Sequence, residues 1–90
     1  MSYDEFKVFV RDLIQREDLT NHGLLPVPTL RRAVGSRIAR AETDAFLLRM
    51  HAEGLVHLLS HVEFDRLPAA VRREAVCTPD GQPFYWIRLP

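Results

Sequence analysis

The chain has one cysteine in 90 residues, Cys77, so no disulfide within the chain can form, and a reducing cytoplasm is the natural setting. It has only four glycines, and none of them builds a Gly-rich phosphate loop. A nucleophile elbow and a His-Glu-x-x-His pair are also missing. No apolar run approaches the roughly 18 residues that cross a bilayer, which excludes a membrane partner of that kind. The acidic start, Met1-Ser2-Tyr3-Asp4-Glu5, lacks the basic and apolar regions of a signal peptide, so a leader is not expected. There is no net charge either, which argues against a bulk polyanion binder.

What is present is an ordinary globular composition, 47% hydrophobic and 27% charged, long enough for one domain spanning residues 1–90. A chain of this size buries only about 60% of its unfolded surface, so its core is modest. The charge is unevenly spread: residues 1–30 carry a net −2, 31–40 carry +4, 41–65 carry −4 and 66–90 carry +2. The cations are nearly all arginine, which suits planar contacts to phosphate and equally reflects a G+C-rich genome.

The spacing of Phe6, Phe9, Val10, Leu13 and Ile14 predicts a helix over residues 3–17, opened by a Ser2/Glu5 capping box and followed by a turn at Asn21-His22-Gly23. Leu24 to Val27 reads as a short edge strand, because Pro26 and Pro28 cannot donate to a ladder. A second helix is expected from Pro28 to Val34, stopped by Gly35, with Ile38 packing beneath the turn that follows. The third runs from Arg40 to Glu53, with Thr43, Leu47, Met50 and Gly54 inward. Leu55–Leu59 is expected to be a strand. Residues 61–83 are expected to be irregular apart from a short helix between Pro68 and Glu74. Asp80-Gly81 signals a hairpin turn, and Phe84–Leu89 a last antiparallel strand with Phe84 and Trp86 inward by parity. The expected core is Phe6, Phe9, Leu13, Leu30, Leu47, Met50, Leu55 and Trp86.

Leu30-Arg31-Arg32-Ala33-Val34-Gly35, Leu47 with Met50, and Glu53-Gly54-Leu55-Val56-His57-Leu58 together resemble the winged helix-turn-helix family over residues 24–89. The resemblance implies an α+β fold, a winged helix of three helices plus a small antiparallel sheet with a long wing loop. It also implies that the second helix and its turn face a DNA backbone while the third helix enters the major groove. Arg31, Arg32, Arg37 and Arg40 fall on those elements with no acid among them, and Arg49, Arg72 and Arg73 join them as candidate backbone contacts. A solvated helix face accounts for the same pattern equally well. The outward stripe of the third helix, Ala41, Ala45, Leu48 and Ala52, offers almost no hydrogen-bond donors to bases and suits contact with another protein surface, a second copy or a larger partner.

Catalytic residues are not expected. Cys77 beside a histidine could act as a nucleophile, but a half-buried strand cysteine before a turn explains it more simply. His57, His61 and Glu63 share strand parity, yet a structural zinc needs about four ligands, so neither metal nor cofactor is expected. Tyr85 is read as an outward strand residue beside Arg88. The expected function is double-stranded DNA binding, with a protein-assembly module as the alternative.

Overall fold

A computed structural model describes residues 1–21 and 23–90, with the backbone alone for residues 18–21. His22, part of the expected turn, lies outside the described residues. The chain runs α1 (Tyr3–Asn21), β1 (Leu24–Pro26), α2 (Val27–Val34), α3 (Arg40–Ala52), β2 (His57–Leu59), α4 (Ala69–Arg72), β3 (Val76–Cys77), β4 (Pro83–Phe84) and β5 (Trp86–Arg88). Among the described residues it is an α+β fold of four helices and small antiparallel sheets. No helix among the described residues is long and apolar enough to cross a membrane.

α1 begins with the reciprocal cap that its sequence implies. The Ser2 N–H donates to Glu5 Oε1 at 2.9 Å, and the Glu5 N–H donates to Ser2 Oγ at 3.1 Å. Donation from the Ser2 N–H, with the Ser2 hydroxyl beside it, holds the Glu5 carboxyl below its ordinary range. Phe6, Val10, Leu13 and Ile14 are buried from this helix. Phe9 is only half-buried, and its ring lies 4.7 Å beneath the Arg37 guanidinium.

The main sheet has the order β1-β5-β2, with both pairings antiparallel. Pro26 is accommodated because β1 is an edge strand. Leu25 and Leu58 both pair with Ile87, and these three buried residues form one apolar row across the sheet. α2 begins one residue earlier than its pattern implied. Pro28 sits in its first turn, where a missing N–H costs nothing. Gly35 caps it at φ 60°, a left-handed conformation that glycine adopts without strain. A 3-10 turn, Gly35–Arg37, carries the chain to Ile38, which is buried beneath it.

α3 buries Thr43, Leu47 and Met50, as its spacing requires. The connection from β2 to β5 folds back on the molecule. It contains a 3-10 turn at Phe64–Arg66, then α4 and the β3–β4 hairpin, whose Val76 and Phe84 join the core. The hairpin packs on α3, and Phe84 stacks against His51 at 5.4 Å.

Besides Phe9, two expected core residues, Trp86 and Leu55, are corrected, and so is the burial of Cys77. The last strand is interrupted at Tyr85. Leu59 pairs with Trp86 and also accepts from the Tyr85 N–H, so two residues oppose one, the pattern of a bulge. Parity therefore shifts, and Ile87 is buried with Phe84 while Trp86 is left half-exposed. Leu55 is 41% exposed, because the chain is still leaving the helix there and its N–H is bonded to the Met50 carbonyl. Strand β2 accordingly begins at His57, and Val56 fills the core in place of Leu55. Cys77 lies on a strand before a turn as expected, but it is exposed.

Candidate functional site

The seven arginines singled out by the sequence have very different surroundings. Arg31 is the most enclosed, with its side chain 13% exposed. Its Nη1 stands 2.8 Å from Asp44 Oδ1 on α3, and its Nε donates to the Glu74 carbonyl at 2.8 Å. A further donation reaches the Ala75 carbonyl. The side chain thus joins α2, α3 and the segment between α4 and β3. Arg40 lies 4.0 Å from Asp44 Oδ2 and donates to the Arg73 carbonyl. Arg31 and Arg40 line one small depression of about 100 Å³ at the α2–α3 turn, with Val34, Ile38 and Thr43.

Arg37 turns back on its own helix end, donating to the Val34 and Ala33 carbonyls. Those carbonyls lie at the carboxyl end of α2, so the cation also meets the negative end of the helix dipole. Arg32 is exposed, and its contact is a 3.4 Å hydrogen bond to Thr29 Oγ1. It borders a shallow groove of about 330 Å³ between α2 and α4 that Ala70, Val71, Glu74 and Tyr85 complete. Arg73 is exposed.

The fold therefore brings the main chain at Arg73 against Arg40 of the 31–40 cluster. Arg72 is turned away, donating to the Asp65 and Leu67 carbonyls. Arg49 belongs to a separate group near the start of α1. Its guanidinium lies 4.0 Å over the Tyr3 ring and 3.3 Å from Glu53 Oε2. The Tyr3 hydroxyl donates to Glu53 Oε1 at 2.5 Å. Partial burial and the Glu53 carboxylate push the Tyr3 phenol up to about 12, and the same hydrogen bond lowers the Glu53 carboxyl.

On α3, Ala41, Ala45 and Ala52 are exposed as expected. Leu48 departs from the stripe, being half-buried and packed against the core. Residues 44, 48 and 51 share a helix face. Asp44 and His51 on that face touch groups held by the connection, through Arg31 and Phe84.

Two features are not apparent from the sequence. His61 stacks on Trp86 at 5.7 Å and meets the edge of Tyr85 at 5.2 Å, forming a half-exposed aromatic cluster. His61 thus lies outside β2, away from the parity that linked it to His57. Among the described residues no cluster of three ligating side chains can hold a metal. The second feature is an apolar groove of about 380 Å³ where α1 meets Leu55 and Leu89, floored by Met50. Val8, an apolar residue on the charged side of α1, is the signal for it.

Comparison with known proteins finds no matching family model, no matching curated protein and no matching solved structure.

Proposed function

We propose that the chain is a non-catalytic winged-helix domain of the cytoplasm that grips the phosphate backbone of double-stranded DNA through α2, the turn after it and the start of α3. Helix, strand, two helices across a tight turn, and two further strands in the sheet order β1-β5-β2 are compatible with that architecture, residues 60–85 being an enlarged wing. The observation that carries the reading is the junction of Arg40 with Arg73. Arg40 donates to the main-chain carbonyl of Arg73, which seats that point of the connection, 33 residues further on, against the α2–α3 turn, so that the exposed side chains of Arg32, Arg37, Arg40 and Arg73 can present cations around it. Guanidiniums bonded to one or two carbonyls retain further N–H groups for phosphate. Arg31 serves the fold instead. The outer face of α3 supplies no donor at Ala41, Ala45 or Ala52, so affinity comes from phosphate contacts and base discrimination is weak.

The test is fluorescence anisotropy with two unrelated duplexes at several salt concentrations. Replacing Arg32, Arg37 and Arg73 by alanine together should weaken binding to both duplexes alike. Every arginine that pairs with a phosphate should, on removal, reduce the salt slope by about one unit. Unchanged affinity and slope in the triple variant, or no binding by the parent at low salt, rejects the reading.

The three exposed alanines favour a second reading, in which the outer face of α3 packs against another protein. Small apolar side chains permit close approach there and desolvate at little cost.

A further inference from the structure

We infer that the groove between α1, Leu55 and Leu89 is the contact between two copies of this chain, paired through antiparallel α1 helices. The inference is independent of DNA. The groove gathers Met50 near the carboxyl end of α3, whereas the arginines surround the amino end.

Two observations carry it. Val8, 48% exposed, and Leu55, 41% exposed, are two of the three large hydrophobic side chains left exposed among the described residues, and both line this groove. Scattered apolar residues on a surface need no explanation, but two converging on a concave floor of Met50 and Leu89 form a patch that water covers poorly. The charges beside them are ordered. Asp4, Lys7, Val8 and Arg11 occupy one stripe of α1, with the acid toward the amino end and Arg11 two turns later. A two-fold axis passing between Lys7 and Val8 sets Asp4 of one copy opposite Arg11 of the other, and Arg11 opposite Asp4. Parallel pairing would instead align like with like. An isologous dimer needs a self-complementary patch; Asp4 and Arg11 at the two ends of this stripe form one, while Lys7 beside the axis stays over its own Tyr3 ring at 4.8 Å.

The intrachain partners of these charges do not prevent the exchange. Asp4 meets Lys7 at 3.0 Å and Arg11 meets Asp12 at 3.9 Å, both at exposed positions where ion pairs contribute little. The apolar floor supplies the attraction, and the charge order sets the orientation. Since the groove is small, the dimer is weak and depends on concentration.

The test is sedimentation velocity on the DNA-free chain over a wide concentration range, with thermal melts alongside. The parent should rise from monomer toward dimer mass. Asp4→Arg and Arg11→Asp should each weaken dimerisation about tenfold or more, because like charges then face each other. The double variant carrying both changes should restore it. Val8→Lys, at an exposed position, should dissociate the dimer while leaving the melt near that of the parent. A chain that stays monomeric at every concentration, single variants that dimerise like the parent, or a double variant no stronger than the singles would each overturn the proposal. All of these are readable whether or not the chain binds DNA.

Discussion

Arg31 on α2 stands 2.8 Å from Asp44 on α3, and the same guanidinium bonds to the carbonyls of Glu74 and Ala75 in the connection. One side chain thereby fixes the relative position of two helices and the connection from β2 to β5. Its planar fork addresses a carboxylate and two carbonyls at once, which a lysine could not do. The most enclosed member of the arginine cluster is thus a structural tie.

It follows that Asp44→Ala should destabilise the chain by roughly 1–3 kcal/mol, since it removes the nearer carboxylate of a largely enclosed cation and leaves it Glu74 Oε2 at 3.9 Å. Arg32→Ala, on an exposed side chain, should change stability by less than about 0.5 kcal/mol. Urea denaturation of the two variants gives the comparison. Equal midpoints would mean that Arg31 is not the tie described.

The corrected core makes a second contrast. Leu47 is fully buried and Leu55 is 41% exposed. Leu47→Ala should cost about 2–5 kcal/mol through the transfer energy of the removed atoms and a residual cavity. Leu55→Ala should cost well under half of that, because much of the side chain already meets water. Thermal melts of the two variants would expose a misplaced helix end if their order were reversed.

Much of this fold could be read from local chemistry. The Ser2/Glu5 cap, the Gly35 stop and the inward row of Thr43, Leu47 and Met50 each rest on residues a few positions apart, where spacing alone decides the outcome. The failures have a different origin. The interruption at Tyr85 is set by pairing with Leu59, a partner distant in sequence, and it turned Trp86 outward and Ile87 inward. Leu48 is half-buried against the core, and nothing within α3 encodes that. The arginines illustrate the limit most clearly. Arg31, Arg37, Arg40 and Arg72 all donate to backbone carbonyls. Carbonyls occur at every residue and leave no trace in the sequence, so structural and ligand-binding arginines look alike until the fold is known.

Tyr3 and Glu53 tie the start of α1 to the end of α3 and set the pH limits of that tie. The Glu53 carboxyl is lowered in the folded chain, so its contribution is complete above the ordinary carboxylate value near 4.5 and fades as pH falls below it. The Tyr3 phenol is raised to about 12 from 10.0, so its contribution is complete below pH 10 and fades as pH rises toward 12. Tyr3→Phe should remove the Tyr3 effect and weaken the Glu53 effect, of which the part due to Arg49 and Lys7 stays. The variant should lose less stability than the parent on going from pH 7 to 4 and from pH 9 to 11. Parallel stability curves for the two proteins across both ranges would show that the hydrogen bond does not form.

Ala45→Glu separates the two readings of α3. Ala45 is exposed at the middle of the helix, between Ala41 and Ala52, so the substitution should leave the melting temperature within a few degrees of the parent. Leu48 would not serve, because a charge there would enter a half-buried site and confuse folding with binding. If α3 lies in a DNA groove, a carboxylate at residue 45 faces phosphates. DNA affinity should then fall several-fold at low salt, and the loss should shrink as salt screens the repulsion. If the face of α3 instead packs on another copy, the charge would be desolvated there, and the variant should lose mass in sedimentation with its DNA affinity unchanged. Dimerisation through α1 is insensitive to this substitution, because residue 45 does not line that groove. A variant whose DNA affinity and mass both match the parent would remove the outer face of α3 from either role, leaving the arginines at the α2–α3 turn as the remaining DNA contact.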